Sequence, residues 1–379
     1  MLRGSRLRLL IALGAAVGSP PGLAAAQAAA FPQFVNKTSQ SLEFSGVLQP
    51  RFEYTNQKDA AGRAIVGNNT FRLRRVEVYI KPTLSPRLKS TIGMDVVPTA
   101  VTLKDVYLDY LVSSKGCMTL RMGHWKKPYS REELRSSGAI LMVDRGRTSD
   151  LFGPSGLAYQ ERDMGVALLG DFYEARVPVT YQVGIFNGNG ANQSTDADSR
   201  KNYVGRVEVV PVPGLSLGAN FSLNDLGVKQ LTADSLSYPG NDDSFMAKAY
   251  GVDLKYQKRG LTVESELRSG DNWRKDTTRN GSSVSLVDKA RKARGMYATA
   301  VYRMPTGRNL LPFVEPGFRA EIFDPNTDAD KDGSTYFTPY LGLYPNENGR
   351  LQLNAVIEKP QPSGADNIIT YVAQWTIRY

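Results

Sequence analysis

The chain has 379 residues and a formal charge of +10, from 47 Lys and Arg against 37 Asp and Glu, with 35 Gly, 19 Tyr and 14 Phe. That aromatic content excludes a disordered chain. Beyond the N-terminus no apolar run reaches about eighteen residues, so a helical membrane protein is excluded and any membrane role would use strands. A single cysteine excludes an internal disulfide, and a single histidine leaves any hydrolytic triad resting on one imidazole.

At the start, Arg3, Arg6 and Arg8 precede the apolar "LLIALGAAVG" and the small-residue run "GLAAAQAAA", the pattern of an export signal over residues 1–30. Its removal takes away three positive charges and leaves a net +7. Residues 31–41 are expected as a short periplasmic segment ahead of a β-barrel domain over 42–379.

From residue 42 one local pattern recurs: about ten residues alternating apolar with polar or small, then a turn. In "LEFSGVLQPRFEY", Leu42, Phe44, Leu48, Phe52 and Tyr54 share one face, while Glu43, Ser45, Gln49, Arg51 and Glu53 share the other. The same alternation runs through "LKSTIGMDV", "MTLRMGH", "VTYQVGIF", "YVGRVEVV", "LSLGANFSL", "YGVDLKYQ", "LTVESELR", "FRAEIF" and "RLQLNAVIE". Connections alternate in length. Short turns at "PTLSP", "SSKG", "FYEA", "PVPG", "QKRG", "MPTGRN" and "PNENG" separate long polar stretches near 55–70, 126–162, 188–200, 225–245, 270–292, 325–334 and 359–369. Only the turn at "VPTA" breaks the rule by being short. This asymmetry predicts an all-β transmembrane antiparallel barrel of about sixteen strands, with the short turns and both termini on the periplasmic side. Because Glu264, Glu266 and Arg268 oppose Leu261, Val263 and Leu267, the charged face is expected to line the lumen and the aliphatic face to meet lipid.

Arg51, Arg75, Lys104, Arg121, Arg206, Arg268 and Arg319 fall on predicted lumen faces, with Glu43, Glu53, Glu77, Asp105 and Asp109 available to pair with some of them. In "FRLRR" the neighbours Arg74 and Arg75 cannot both face inward on a regular strand, so Arg75 is expected inside and Arg72 and Arg74 above the apolar band. Cys117 reads as a strand residue, and His124 as a strand-end residue beside Trp125 rather than a catalytic base. No nucleophile motif accompanies that imidazole.

The longest connection, 126–162, carries Lys126, Lys127, Arg131, Arg135, Arg145 and Arg147 together with Tyr129, Leu134, Ile140, Leu141, Met142, Leu151 and Phe152. Folded into the lumen, such a loop would focus a positive potential at the narrowest point and favour anions. Held outside, its charges would meet acids or lipopolysaccharide phosphates. The residues alone leave both arrangements open. Further on, Asp328, Asp330, Asp332 and Gly333 match the first half of a calcium loop, but Pro339 stands where the bidentate Glu would be. The stretch reads as a solvated loop, with weak Ca²⁺ binding as the alternative.

The segments "FRLRRVEVYIKPTL", "LKDVYLDYL", "LRMGHWKKPYSREELRSS" and "YLGLYPNENGRLQLNAVIE" resemble those of the phosphate-selective porin O/P family, over about 42–379. The resemblance implies a sixteen-stranded barrel, usually trimeric, whose third loop folds inward beside an anion path lined by basic residues. Lys127, Pro128, Ser130 and Glu132 or Glu133 sit at the family's positions before that loop. The resulting expectation is an outer-membrane channel of a Gram-negative bacterium for passive diffusion of small anions such as phosphate and polyphosphate. No enzyme activity, cofactor or nucleic-acid partner is expected. The competing reading is a structural barrel of weak selectivity whose outer loops bind metal or a partner.

In the closing "TYVAQWTIRY", Tyr371, Ala373, Trp375, Ile377 and Tyr379 alternate with Val372, Gln374, Thr376 and Arg378. The first set is expected to face lipid, and the strand to pair with the first one and close the barrel. A strand ending on an aromatic residue also resembles the C-terminal signal read by the outer-membrane insertion machinery.

Overall fold

The computed structural model describes residues 41–379 apart from 59–61, 66–68, 114–115, 154–155, 174, 197–198, 228–243, 273–278, 281–282, 285–291 and 362–365. The expected export signal and most of the periplasmic segment lie outside the described residues. Sixteen strands form the wall: β1 (Ser41–Thr55), β2 (Asn69–Thr83), β3 (Leu88–Val97), β4 (Ala100–Leu111), β5 (Thr119–Lys126), β6 (Arg162–Phe172), β7 (Val179–Phe186) and β8 (Asn202–Val212), then β9 (Leu215–Gly227), β10 (Ser244–Lys258), β11 (Leu261–Asp271), β12 (Lys292–Tyr302, continued as Met304–Arg308), β13 (Leu311–Asp324), β14 (Ser334–Tyr344), β15 (Gly349–Pro360) and β16 (Ile368–Arg378). Each pairs antiparallel with its neighbours. The last closes on the first, with Leu48 opposite Ile377 and Tyr54 opposite Tyr371. Closure satisfies every strand edge internally, which the hydrocarbon core of a bilayer demands.

The two faces follow the period of two. Val252, Met296, Phe318, Ile322, Leu353, Trp375 and Ile377 are exposed on the outer face. On the inner face Glu264, Glu266, Arg268, Arg319, Gln352 and Gln374 are buried. The short connections sit on one rim and the long ones on the other, and the β3–β4 turn is the short exception.

Three local expectations are corrected. Cys117 lies in the turn between β4 and β5, with Sγ 3.1 Å from the Ser113 hydroxyl, because β4 ends at Leu111 and β5 begins only at Thr119. The stretch "MPTGRN" is not all turn: Met304 pairs with Val314 and Arg308 with Leu311, around an irregularity beside Pro305, which has no N–H to donate. The third correction concerns "FRLRR". Gln49 of β1 opposes Arg75, but Pro50 opposes Leu73, so Arg74 is an inserted residue in β2. A proline inside a strand cannot complete the ladder, and a bulge opens opposite it. The insertion resets the alternation. Phe71 and Leu73 remain outside, while Arg72, Arg74 and Arg75 all border one lumen cavity.

The outer face sets a stability test. Val252→Arg on β10 puts a charge on the lipid side and should cost about 2–4 kcal/mol if it lies near the bilayer midplane. Urea unfolding in lipid vesicles measures it, and an unchanged midpoint would contradict the assignment of faces.

Candidate functional site

The β5–β6 loop supplies the site. It holds α1 (Arg131–Leu134), a short 3-10 turn (Ser137–Ala139) and α2 (Arg147–Phe152). Ser130 caps α1, its hydroxyl accepting from the Glu133 N–H at 3.2 Å. Two cations close the other end of α1. Lys126 Nζ donates to the Glu133 and Arg135 carbonyls, and Arg145 donates to the carbonyls of Glu132, Glu133 and Arg135. Lys127 Nζ donates to the Ala158 carbonyl at 2.9 Å and ties the two ends of the loop together.

Apolar packing seats the loop against the inner wall. Tyr129, Phe152 and Tyr159 pack together with ring centroids 6.1–6.4 Å apart, and all three are fully buried. They meet Ala247 and Ala249 of β10 and Ala293 of β12, small inward residues that leave room for the rings. Their hydroxyls are satisfied by wall carbonyls, Tyr129 donating to Tyr250 and Tyr159 to Asp271 at 2.9 Å. The loop also reaches the other side of the lumen. Gln49 of β1 donates to the Ser137 carbonyl at 3.2 Å, and Gln352 of β15 donates to the Met142 carbonyl at 2.9 Å.

Glu132 is the electrostatic anchor. Its carboxylate accepts from Arg319 of β13 at 2.5 Å, from the Ser149 hydroxyl at 2.7 Å and from the Gly146 N–H at 3.1 Å. Arg268 of β11 stands 3.9 Å away. Burial alone would raise its pKa, but the two guanidiniums and the hydrogen bonds outweigh that and hold it below the ordinary carboxylate range. At this crossing Gly146 leaves room for the Glu321 carboxylate, which a Cβ there would have to push aside.

The basic residues singled out in the sequence divide into two groups. Arg131 and Arg206 both pair with Asp253 and Glu208, and Arg135 pairs with Glu264. Arg131 and Arg135, with Lys126, Lys127 and Arg145, fasten the loop to itself or to the wall, while Arg206 braces from the wall side the Asp253 that Arg131 grips. Arg121 is held bidentately by Asp109 at 2.7 and 2.8 Å and covers the Tyr107 ring at 3.7 Å. Lys104 contacts Asp95 and Glu77, Arg162 contacts Asp105, and Lys81 contacts Glu43.

Arg51, Arg75 and Arg147 instead border a lumen cavity of about 340 Å³ between the loop and the wall, enough for about ten waters. Arg72 and Arg74 join them there, and so does one face of Arg145. The carboxylate nearest the centre of this cluster belongs to Asp144, on the loop. Its Oδ2 is 2.7 Å from Arg51 Nη1, and its Oδ1 is 3.6 Å from Arg74 and 4.0 Å from Arg75. Arg72 pairs with Glu53 at 2.7 Å. The sequence reading missed Arg72, Arg74 and Asp144, and the signal that would have found the first two is Pro50 in the middle of β1.

His124 accepts the Asn192 N–H at Nε2 and lies 2.6 Å from the Lys104 carbonyl through Nδ1, so both ring nitrogens are engaged by backbone. Asp328, Asp330 and Asp332 are exposed in the β13–β14 connection, and among the described residues no three potential metal ligands come together.

A family profile described as phosphate-selective porin O and P matches residues 40–260, more than half of the chain. No curated protein sequence matches. The chain is similar in fold to an anion-selective porin from Comamonas acidovorans, with a TM-score of 0.61 at 10% identity, over 89% of this chain and 99% of that one. It is similar to OprB of Pseudomonas putida with a TM-score of 0.60 at 11% identity, over 93% and 97%. For OmpT, an outer membrane protein of Vibrio cholerae in a trimer form, the TM-score is 0.56 at 8% identity, over 89% and 99%. At such identities these structures speak for the barrel, which they extend past residue 260 to most of the chain, whereas the profile speaks for the sequence. Together they place the chain in the phosphate-selective porin O and P family, as a porin of the Gram-negative outer membrane.

Proposed function

We infer that the protein is a water-filled channel through which small anions, phosphate and polyphosphate among them, diffuse down their gradients without covalent chemistry. One observation carries this reading: the cavity between loop and wall gathers Arg51, Arg72, Arg74 and Arg75, with a carboxylate already seated among three of them. Guanidiniums replace part of an oxyanion's hydration by charge-assisted hydrogen bonds, and the neighbouring Arg145 and Arg147 offer the next contacts. In this reading loop 126–162 is the constriction. Arg51, Arg75, Arg145 and Arg147 border the path, joined by Arg72 and Arg74, while Lys126, Lys127, Arg131 and Arg135 hold the constriction in shape and Arg206 supports the Asp253 that Arg131 grips. Arg121 lines the wall elsewhere.

The channel acts as a homotrimer in this proposal, which the trimer form of the Vibrio cholerae barrel supports by fold alone. The outer face, with Phe71, Tyr371, Trp375 and Tyr379 exposed, meets membrane lipid, and the long outer loops meet lipopolysaccharide. The C-terminal strand, with its terminal aromatic residue, is what the insertion machinery would engage. Export by the segment 1–30 completes the route to the outer membrane.

In planar bilayers under a KCl gradient, the reversal potential should have the anionic sign; a cationic sign would overturn the reading. Arg74→Gln should lower the anion-to-cation permeability ratio about fivefold, since one unit charge at about 4 Å in water is worth about 1 kcal/mol. Glu132→Gln leaves the buried Arg319 guanidinium without its paired carboxylate, while Arg268 keeps Glu266, and should loosen the loop by about 3–5 kcal/mol. The expected outcome is a larger single-channel conductance and faster proteolysis within 126–162. Unchanged conductance would remove the loop from the constriction.

A further inference from the structure

The one histidine of the chain points away from the lumen. On β5, His124 shares the outer face with the exposed Leu120 and Met122, two residues from the rim that carries the long loops, yet it is only 5% exposed. Two features cover it. The first is a bulge in β4. Ile92 of β3 opposes Val106, but Met94 opposes Leu103, so β4 holds one residue more than β3 across this interval. The β4–β5 ladder ends at the Val106–His124 pair, and beyond it the ring takes up the Lys104 carbonyl, 2.6 Å from Nδ1. The second is the β7–β8 loop, residues 187–201. Asn192, at φ 61, donates its N–H to His124 Nε2 at 3.2 Å. Residues 192–194 thereby roof an outer-wall cavity of about 620 Å³ whose floor includes Ile92, Leu103, Met122 and Met164. The start of the loop is fixed separately, the Gly188 N–H donating to Asp163 at 2.6 Å.

A carbonyl can only accept and a backbone N–H can only donate, so Nδ1 carries the proton and Nε2 must be bare. The ring holds the loop only while it is neutral. We propose that His124 is a proton-sensitive latch: its neutral imidazole pins the β7–β8 loop to the outer wall, and a proton taken up at Nε2 releases residues 190–194 and uncovers the cavity beneath them. The proton occupies the lone pair that accepted the Asn192 N–H, so two donors then face each other. The charged groups around the ring do not rescue the contact. Asp105 is bound by Arg162, Asp163 accepts the Met164 and Gly188 N–H groups, Lys104 lies against Asp95 and Glu77, and Lys126 donates to carbonyls of the β5–β6 loop. A charged ring kept in place would be buried without a carboxylate of its own, so protonation and release go together. The latched state binds one proton fewer than the released one. The latch therefore holds at neutral pH and is lost as the pH falls below the ordinary histidine range, about 6.5 for a free imidazole. It acts on the outer wall and does not depend on which ions the lumen passes.

The test uses the whole protein in lipid nanodiscs with ¹⁵N-labelled histidine, whose only imidazole signals are those of His124. At pH 7.5 the proton should sit on Nδ1, and both nitrogens should be protonated at the acid end of a titration to pH 4.5. Amide exchange over residues 190–194, corrected for its intrinsic pH dependence, should quicken at least about fivefold with the same midpoint, the ratio for losing one hydrogen bond. His124→Gln keeps a side-chain acceptor that does not titrate and should give slow exchange at both pH values. His124→Phe should give fast exchange at both. Asp163→Asn removes the carboxylate at the start of the loop and should leave the midpoint where it is. A proton on Nε2 at pH 7.5, a ring still neutral at pH 4.5, exchange that ignores the ring's titration, or loss of the pH dependence in Asp163→Asn each overturns the latch. If the His124 variants do not assemble, the two titrations of the wild type decide by whether their midpoints coincide.

Discussion

The contact between Glu132 and Arg319 joins residues 187 positions apart, and the shape of the lumen depends on it. Arg268 and Arg319 are almost fully buried, which only partners of opposite charge can make tolerable. Glu132 brings that charge on the loop, while Glu266, the second partner of Arg268, sits on the wall and accepts the Ser130 hydroxyl from the start of α1. The polar network thus specifies one position for the loop, and the Tyr129, Phe152 and Tyr159 rings lying over inward alanines supply the apolar area that holds it there. Neither half would suffice. Rings on alanines could slide along the wall, and ion pairs alone would pay desolvation without enough burial.

The barrel itself was legible because each of its strands carries the period of two, and the period follows from which atoms can face lipid. Glu264, Glu266 and Arg268 opposing Leu267 is a local statement, and it holds in the structure. Three of the five acids expected to pair with the lumen bases do so, while Glu43 and Asp105 pair instead with Lys81 and Arg162. Glu53, Glu77 and Asp109 contact Arg51, Lys104 and Arg121; Asp109 lies directly across the register from Arg121, Glu53 two residues along the strand from Arg51, and Glu77 one strand removed from Lys104. What regular alternation could not reveal was its own interruption. Pro50 lies in "LQPRF" in plain view, yet its effect falls on the opposite strand, where the inserted Arg74 turns three arginines to one side. A bulge is a property of two strands, and a single-strand pattern has no term for it.

The division of the loop bases was illegible for a different reason. Lys126, Lys127, Arg131, Arg135, Arg145 and Arg147 look alike as a basic run, and their fates are set by partners up to 129 residues away, as in the pair of Arg135 with Glu264. Lys127 ends on a carbonyl, Arg131 on Asp253, and Arg147 stays largely in the open with Asp150. Only the last kind of environment leaves a charge available to a solute. Counting bases along the loop therefore overstates the field at the cavity and says little about its location.

Selectivity in such a lumen follows from local imbalance rather than from the net charge of the chain. A guanidinium locked bidentately on a carboxylate, as Arg121 is on Asp109, offers an approaching anion little, because its donors are used and its charge is cancelled within a few ångströms. The cavity beside the loop differs. Seven arginines border it against five acids, and the arginines contributed by β2 owe their position to one missing N–H on β1. Screening at physiological salt acts over about 8 Å, so pairs that cancel on the far wall contribute almost nothing here, whereas the uncancelled excess acts at contact range. A basic chain whose bases were all paired would conduct without preference. In this barrel the bases that fix the loop meet carboxylates or carbonyls of the wall and the loop, and the local excess of arginines lies at the cavity beside it.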